Sequence, residues 1–187
     1  MTNFINYLNI VSPLSDETKQ DLENCIKTFE FPKNQIVLKQ GQVCNYLYFV
    51  EKGLLRLYYF QEGKDISDYF ATENNLIGGI DSFFSRKPSD KIIETLEASK
   101  ILAISFNDLE NLFAKHHDLE RVGRLLSVGA FLTMQDRLFA IQFRTATQRY
   151  NDLIESSPSM IQRVSLGHIA SFLGITQVTL SRIRGQK

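Results

Sequence analysis

VSLGHIASFLGITQVTLSRIRGQK, residues 164 to 187, reads as two short helices joined at a glycine, and the rest of the chain is best understood outward from it. Ser165 is placed to cap the first helix by accepting from backbone N–H groups one turn in, with His168 where a capping-box partner stands. Ile169 and Leu173 fall on one inward face. Ala170 is small, and Gly174 four residues on allows both a positive φ in the turn and a close approach of the second helix. Ile175 fills the space beneath the turn, Thr176 caps the second helix, and Leu180 with Ile183 continue the inward stripe. The outer face is then Gln177, Thr179, Ser181, Arg182 and Arg184. In a DNA-binding helix-turn-helix the N-terminal part of the second helix enters the major groove, where Gln reads adenine and Arg reads guanine. The same residues also allow an ordinary helical hairpin with a solvated polar face.

The distribution of charge favours a polyanionic partner. The chain as a whole is neutral, with 21 Lys+Arg against 21 Asp+Glu. From Arg144 onward, six basic residues (Arg144, Arg149, Arg163, Arg182, Arg184, Lys187) stand against two acidic ones, Asp152 and Glu155, and none follows Glu155. A polyanion therefore meets attraction at the C-terminal end and mild repulsion elsewhere, which orients its approach.

At 187 residues and 43% hydrophobic content, the chain can build a core-bearing domain with a smaller appendage. The N-terminal stretch MTNFINYLNIVSPLS has no basic leader region, its first Lys being Lys19. The most apolar helical run, Leu125 to Met134, is too short to span a bilayer. No membrane association and a cytoplasmic location are the expectations. Cys25 and Cys44 are the only cysteines, too few for a cysteine cluster or a thiolate zinc site, and both are expected as reduced thiols.

Three regions separate by period. Short helices are expected over Phe4 to Ile10 and, after a break at Ser12-Pro13, from a Ser15 cap through Leu22 and Ile26. From about Phe29 to Ile104 come short apolar or alternating runs: Ile36–Leu38, Tyr46–Val50, Leu54–Phe60, Ile66–Phe70, Ile92–Leu96 and Ile101–Ile104. Gly41, Gly53, Gly63 and Gly78-Gly79 punctuate them, as in a β-sandwich or β-roll. From Phe106 on, the period is helical again. The fold class is α+β: an antiparallel β-roll of jelly-roll type with flanking helices, a long helix, and a C-terminal helix-turn-helix. The expected division is N-terminal helices plus β-roll over 1–117, a long helix for dimerisation over 118–144 and the helix-turn-helix domain for DNA binding over 145–187.

Asp118 to Phe143 contains no proline, begins with Asp118 as a cap, and predicts one helix of about 26 residues, about 39 Å long. Leu125, Val128, Leu132 and Phe139 form one apolar stripe; Phe131, Met134, Leu138 and Ile141 form another. A surface helix needs only one such face, so the second must be covered. The same helix of a second copy, packed in parallel with Gly129 permitting close approach, is the expected cover. Burial within the monomer, beneath the N-terminal helices and the β-domain, is the alternative.

The order of these parts resembles that of the cAMP receptor protein/FNR (CRP/FNR) family of bacterial transcription regulators. QIVLKQGQVCNYLYF, Gln35 to Phe49, is similar to the family's opening strands; Lys52-Gly53 is similar to its next turn. LIGGIDSFF, Leu76 to Phe84, with Ile101-Leu102-Ala103-Ile104, resembles its phosphate-binding cassette and closing strand. The tail ITQVTLSRIR looks most like a short Bacteroidetes-type subgroup. The resemblance implies a homodimer on double-stranded DNA, with RNA polymerase as a further partner and a small-molecule effector as an input. It also implies base readout by Gln177 and Arg182, assistance from Thr179 and Ser181, and phosphate contacts by Ser165, Thr176 and Arg184.

Two departures from the family pattern bear on function. Cyclic-nucleotide binders carry a Gly-Glu pair and a later Arg-Ser pair, which fall here on Gly78-Gly79 and Ser89-Asp90, the candidate ligand-pocket positions. The carboxylate and the guanidinium are both missing, and Asp90 would repel a phosphate. cAMP is therefore not an expected ligand, and no cofactor is expected. At the output end, Val178 stands where many relatives place Glu, and the Ser156 to Val164 connection leaves little room for a β wing.

Other sensing chemistries lack their residues. Only Cys25 precedes the β-domain, unlike relatives that sense oxygen through a cysteine cluster, and His116 and His117 are expected at a helix junction and not as haem ligands. A metal-dependent β-barrel enzyme would need histidines between Phe29 and Ile104, and there are none. No nucleophile elbow, phosphate loop or dinucleotide fingerprint is present, so an enzyme is not expected. The rival class is a β-roll signalling module whose C-terminal hairpin contacts a small ligand or a protein and not DNA.

Overall fold

The computed structural model describes residues 2–185. Two short helices open the chain, α1 (Asn3–Val11) capped by Thr2 and α2 (Asp16–Cys25) capped by Ser15, whose side chain accepts from Thr18 N–H at 3.1 Å. Eight strands follow: β1 (Lys27–Phe31), β2 (Ile36–Leu38), β3 (Tyr46–Lys52), β4 (Leu55–Gln61), β5 (Lys64–Ala71), β6 (Leu76–Ile77), β7 (Ile92–Thr95) and β8 (Ser99–Ser105). A short helix, α3 (Ile80–Ser85), lies between β6 and β7. The strands form two four-stranded antiparallel sheets, ordered β1-β8-β3-β6 and β2-β7-β4-β5. This is the expected α+β roll.

Alternation in the strands drives one face of each into a shared core containing Phe49, Leu55, Leu57, Ile93, Ile101 and Ala103. Phe4, Ile5 and Leu8 of α1 join it, with the Phe4 ring stacked 5.0 Å from that of Phe49. All six expected runs overlap strands, with Leu54 and Leu96 falling just outside β4 and β7, while sequence pattern does not mark out β1, β6 and α3.

After α4 (Phe106–Lys115), the long helix α5 runs over His117–Phe143, 27 residues. Its expected cap is corrected. His116 occupies the N-cap position without a side-chain capping bond, and Asp118 lies inside the first turn. The Asp118 carboxylate instead accepts from Ser15 N–H at 2.7 Å and from the Thr18 hydroxyl at 2.8 Å, tying α5 to the start of α2. His116 is buried between Asp21 (2.9 Å) and Thr18 (3.2 Å), whereas His117 is fully exposed. The close helix approach within the chain occurs at Gly123, where a Cβ would come within 2.6 Å of the Phe113 ring; a Cβ on Gly129 would meet open space.

Four helices close the chain: α6 (Ala146–Ser156), α7 (Pro158–Arg163), α8 (Leu166–Phe172) and α9 (Gln177–Gly185). A complete capping box between Thr145 and Gln148 starts α6. The Ser156 to Val164 connection is mostly helical, with Pro158 at the first position of α7, where its missing N–H costs nothing. A second core gathers Tyr150, Met160, Val164, Ile169, Leu173, Leu180 and Ile183, and it includes Leu54 and Phe70 from the β-roll.

Candidate nucleic-acid interface and sensor cassette

The turn between α8 and α9 has the chemistry its sequence calls for. Gly174 adopts φ +66°, Ile175 N–H donates to Ala170 O at 3.0 Å, and Gly174 N–H donates to Ser171 O at 3.1 Å. These two bonds form a Schellman motif, which satisfies the last carbonyls of α8 and turns the chain sharply. Ser165 caps α8 through His168 N–H at 3.3 Å. The reciprocal half of the expected capping box is absent: the His168 Nδ1 is buried without a hydrogen-bond partner. Burial and the nearby Arg56 lower the pKa of this imidazole.

Thr176 caps α9, accepting from Thr179 N–H at 3.1 Å, and the two hydroxyls bond each other at 2.9 Å. Thr179 is thereby tied to the cap. Leu180 and Ile183 are buried, leaving Gln177, Val178, Ser181, Arg182 and Arg184 exposed along the outer face of α9.

The basic excess of the C-terminal region divides between two tasks. Arg163 is spent on the β-roll: its guanidinium donates to Glu73 at 2.8 and 3.0 Å and to Glu97 at 3.0 and 2.6 Å. Those hydrogen bonds hold the Glu73 carboxyl well below its ordinary range, at about 2, and lower Glu97 as well. Arg144 pairs with Asp152, and Arg149 donates to the carbonyls of Arg144 and Leu173. Arg182 and Arg184 form no ion pair among the described residues, and Lys187 lies outside them.

Helix α8 is docked on the edge strand β5. The Ser171 hydroxyl accepts from Ser67 N–H at 2.9 Å and donates to Asp65 O at 3.0 Å, filling two edge positions. Beneath α8 lies Arg56, 1% exposed, bonded to Ser67 (2.8 Å), Asp65 (3.1 Å) and Glu94 (3.1 Å) and stacked 4.4 Å from the Tyr58 ring. Arg137 of α5 reaches the same strand, donating to Asp68 O at 2.5 Å and lying 4.6 Å from the Phe172 ring. Sequence pattern did not single out Arg56, Ser171 or Arg137.

The candidate ligand-pocket positions are tightly packed. A Cβ on Gly79 would stand 3.1 Å from Leu38 Cδ2 and 3.2 Å from Ser89 Oγ, so any side chain there requires those two neighbours to give by a few tenths of an ångström. Ser89 is fully buried, and its hydroxyl is used locally, accepting from Lys91 N–H at 3.0 Å. Gly78 is buried and Asp90 is exposed. The Arg86 guanidinium is committed to Cys44 O (2.9 Å), Phe83 O (3.0 Å) and Asn45 (2.5 Å), and stacks on Phe106.

Along α5 only Leu119 and Val122 are buried. Leu125 is half-buried; Val128, Leu132 and Phe139 of the first stripe and Phe131, Met134, Leu138 and Ile141 of the second are all exposed. Among the described residues no helix is long and apolar enough to cross a membrane.

Comparison with known proteins defines the class to which this arrangement corresponds. Residues 28–116 match the family described as the cyclic nucleotide-binding domain. The chain is 26% identical to the anaerobic regulatory protein of Pasteurella multocida, covering 97% of this chain and 71% of that one. It is likewise 26% identical to the fumarate and nitrate reduction regulatory protein of Escherichia coli K12, covering 97% and 77%. Its fold is similar to that of FixK2 from Bradyrhizobium japonicum (TM-score 0.75, 17% identity, 86% of this chain and 83% of that one). A transcriptional regulator of the crp/fnr family from Eubacterium rectale is similar too (TM-score 0.73, 18% identity, 95% and 85%). The chain is thus similar over residues 28–116 to cyclic nucleotide-binding domains, and in fold to a regulator of the crp/fnr family. The relatives named are described as regulators.

Proposed function

We propose that the protein is a homodimeric, sequence-specific transcription regulator that reads double-stranded DNA with α9 and does not use cAMP. The observation that carries this reading is the split character of α9. Leu180 and Ile183 are buried beneath a Schellman turn, while Gln177, Ser181, Arg182 and Arg184 are exposed on the outer face, with no acidic residue after Glu155. Gln177 and Arg182 carry base readout, Thr179 and Ser181 assist, and Ser165, Thr176 and Arg184 meet phosphates.

Pairing of two α5 helices through Leu125, Val128, Leu132 and Phe139, with Gly129 at the seam, would hold the two reading heads roughly 34 Å apart, one turn of duplex DNA. Exposure of that stripe in the single chain supports the pairing. The packed cassette around Gly79 and Ser89 supports an input other than a cyclic nucleotide. The tail ITQVTLSRIR supports placement with the short Bacteroidetes-type members. RNA polymerase and a small effector remain the partners that the class suggests.

An electrophoretic shift assay with upstream DNA at two salt concentrations tests the reading. A groove binder loses affinity steeply as salt rises. Failure to shift DNA at low salt would replace it with the protein-contact module.

A further inference from the structure

We infer that Val178 is a specificity-determining residue that reads the 5-methyl group of a thymine in the major groove; this rests on the DNA-reading assignment of α9 made above. A lone exposed valine on a protein surface needs no explanation. This one is 62% exposed at the second position of α9, in the turn of a reading helix that enters the groove. Val178, Ser181 and Arg182 stand at i, i+3 and i+4, so the isopropyl group shares a strip of helix surface with two polar readers. Helix stability does not call for it, because a β-branched residue is a slightly unfavourable helix former.

The side chain suits the task in two ways. Valine in a helix holds essentially one χ1 rotamer, so its methyls are presented in a fixed place with little entropy to lose on contact. Thymine alone among the bases places a methyl in the major groove, and apolar side chains recognise it. Nothing acidic competes: α9 carries no carboxylate, so the acceptor that would read a cytosine amino group is missing.

The test uses the full-length chain and duplexes recovered by it from a randomised pool. Each thymine of the recovered half-site is then replaced by deoxyuridine, which removes the methyl group and leaves every hydrogen-bonding group in place. One position per half-site should weaken wild-type binding about fourfold, the factor that corresponds to ~0.8 kcal/mol for one buried methyl. Val178→Ala should bind the thymine and deoxyuridine duplexes equally. Val178→Thr, which retains a methyl, should keep the preference. Circular dichroism of both variants should match wild type, since the side chain is exposed.

Two results overturn the inference alone: a recovered site in which no deoxyuridine substitution weakens wild type, or a Val178→Ala protein that keeps the full penalty. Recovery of no preferred sequence overturns the DNA-reading assignment and this inference with it.

Discussion

Replacing Arg163 with methionine keeps the aliphatic stem and removes the guanidinium that joins α7 to the β-roll. Four N–H···O contacts of 2.6 to 3.0 Å to Glu73 and Glu97 are lost, and Glu73 keeps the Gly53 N–H at 2.8 Å. The hydrogen bonds from Arg163, joined by smaller ones from backbone N–H groups including that of Gly53, lower the Glu73 pKa from 4.5 to about 2, so the full difference is an upper bound on what Arg163 supplies. At about 1.4 kcal/mol per pH unit this difference corresponds to ~3 kcal/mol. Because the Glu73 side chain is 38% exposed, solvent screening brings the working figure to about 1–2 kcal/mol.

The sign follows from the direction of the shift. A carboxyl depressed in the folded state contributes its stability above its unfolded value of 4.5, and that stability is lost as the pH falls from there toward 2. The chain has no tryptophan, so unfolding in urea is followed by circular dichroism. Arg163→Met should be less stable than wild type by about 1–2 kcal/mol at pH 7. The gap should narrow between pH 5 and pH 3, a window set by the depressed Glu73. Glu73→Gln should flatten the same acid-dependent component. Equal midpoints at pH 7, or a gap that does not change with acid, would refute the reasoning.

Three further outcomes are expected. Arg182→Ala should lose about 1–3 kcal/mol of discrimination at one base pair, and unchanged binding to a mapped operator at fixed salt would remove Arg182 from the readout. Leu132→Asp with Phe139→Asp places charges on side chains that are each 53% exposed in the single chain, and should convert a dimer to a monomer by sedimentation velocity without lowering helix content; a variant that stays dimeric refutes the α5 pairing. Gly79→Glu restores the carboxylate of the nucleotide-binding pattern, yet should yield no heat with cAMP in titration calorimetry. Its side chain must force apart Leu38 and Ser89, at a cost of about 1–3 kcal/mol visible as a lowered melting temperature.

The reading head was legible because its determinants are local. Ser165, Gly174 and Thr176 act within a few residues of themselves through caps and a turn, and such signals survive in a single sequence. The β-roll was legible through its alternating runs. Short elements escaped: β6 has two residues and α3 and α7 have six each, too few for any period to show. Asp118 was misassigned because its partners, Ser15 and Thr18, are about a hundred residues away, and a helix-start carboxylate looks the same whether it caps its own helix or holds another. The docking of α8 on β5 was invisible for the same reason. Ser171 meets Asp65 across 106 residues, and Arg163 meets Glu73 across 90; in the sequence each is one more polar residue. Counting Arg163 with the DNA-facing charges followed from that blindness.

Leu54 and Phe70 belong by sequence to the β-roll but lie in the core that supports α8 and α9. The C-terminal helices therefore do not own all of the apolar surface they fold around. Cut free near residue 145, they would leave two buried contacts open to water, so the C-terminal helices are not an interchangeable cassette that can be transplanted onto another domain unaltered. Substitutions at Leu54 or Phe70, outside the C-terminal helices, should loosen the packing of α8 and α9. A chimaera that keeps the head functional must bring those two side chains with it.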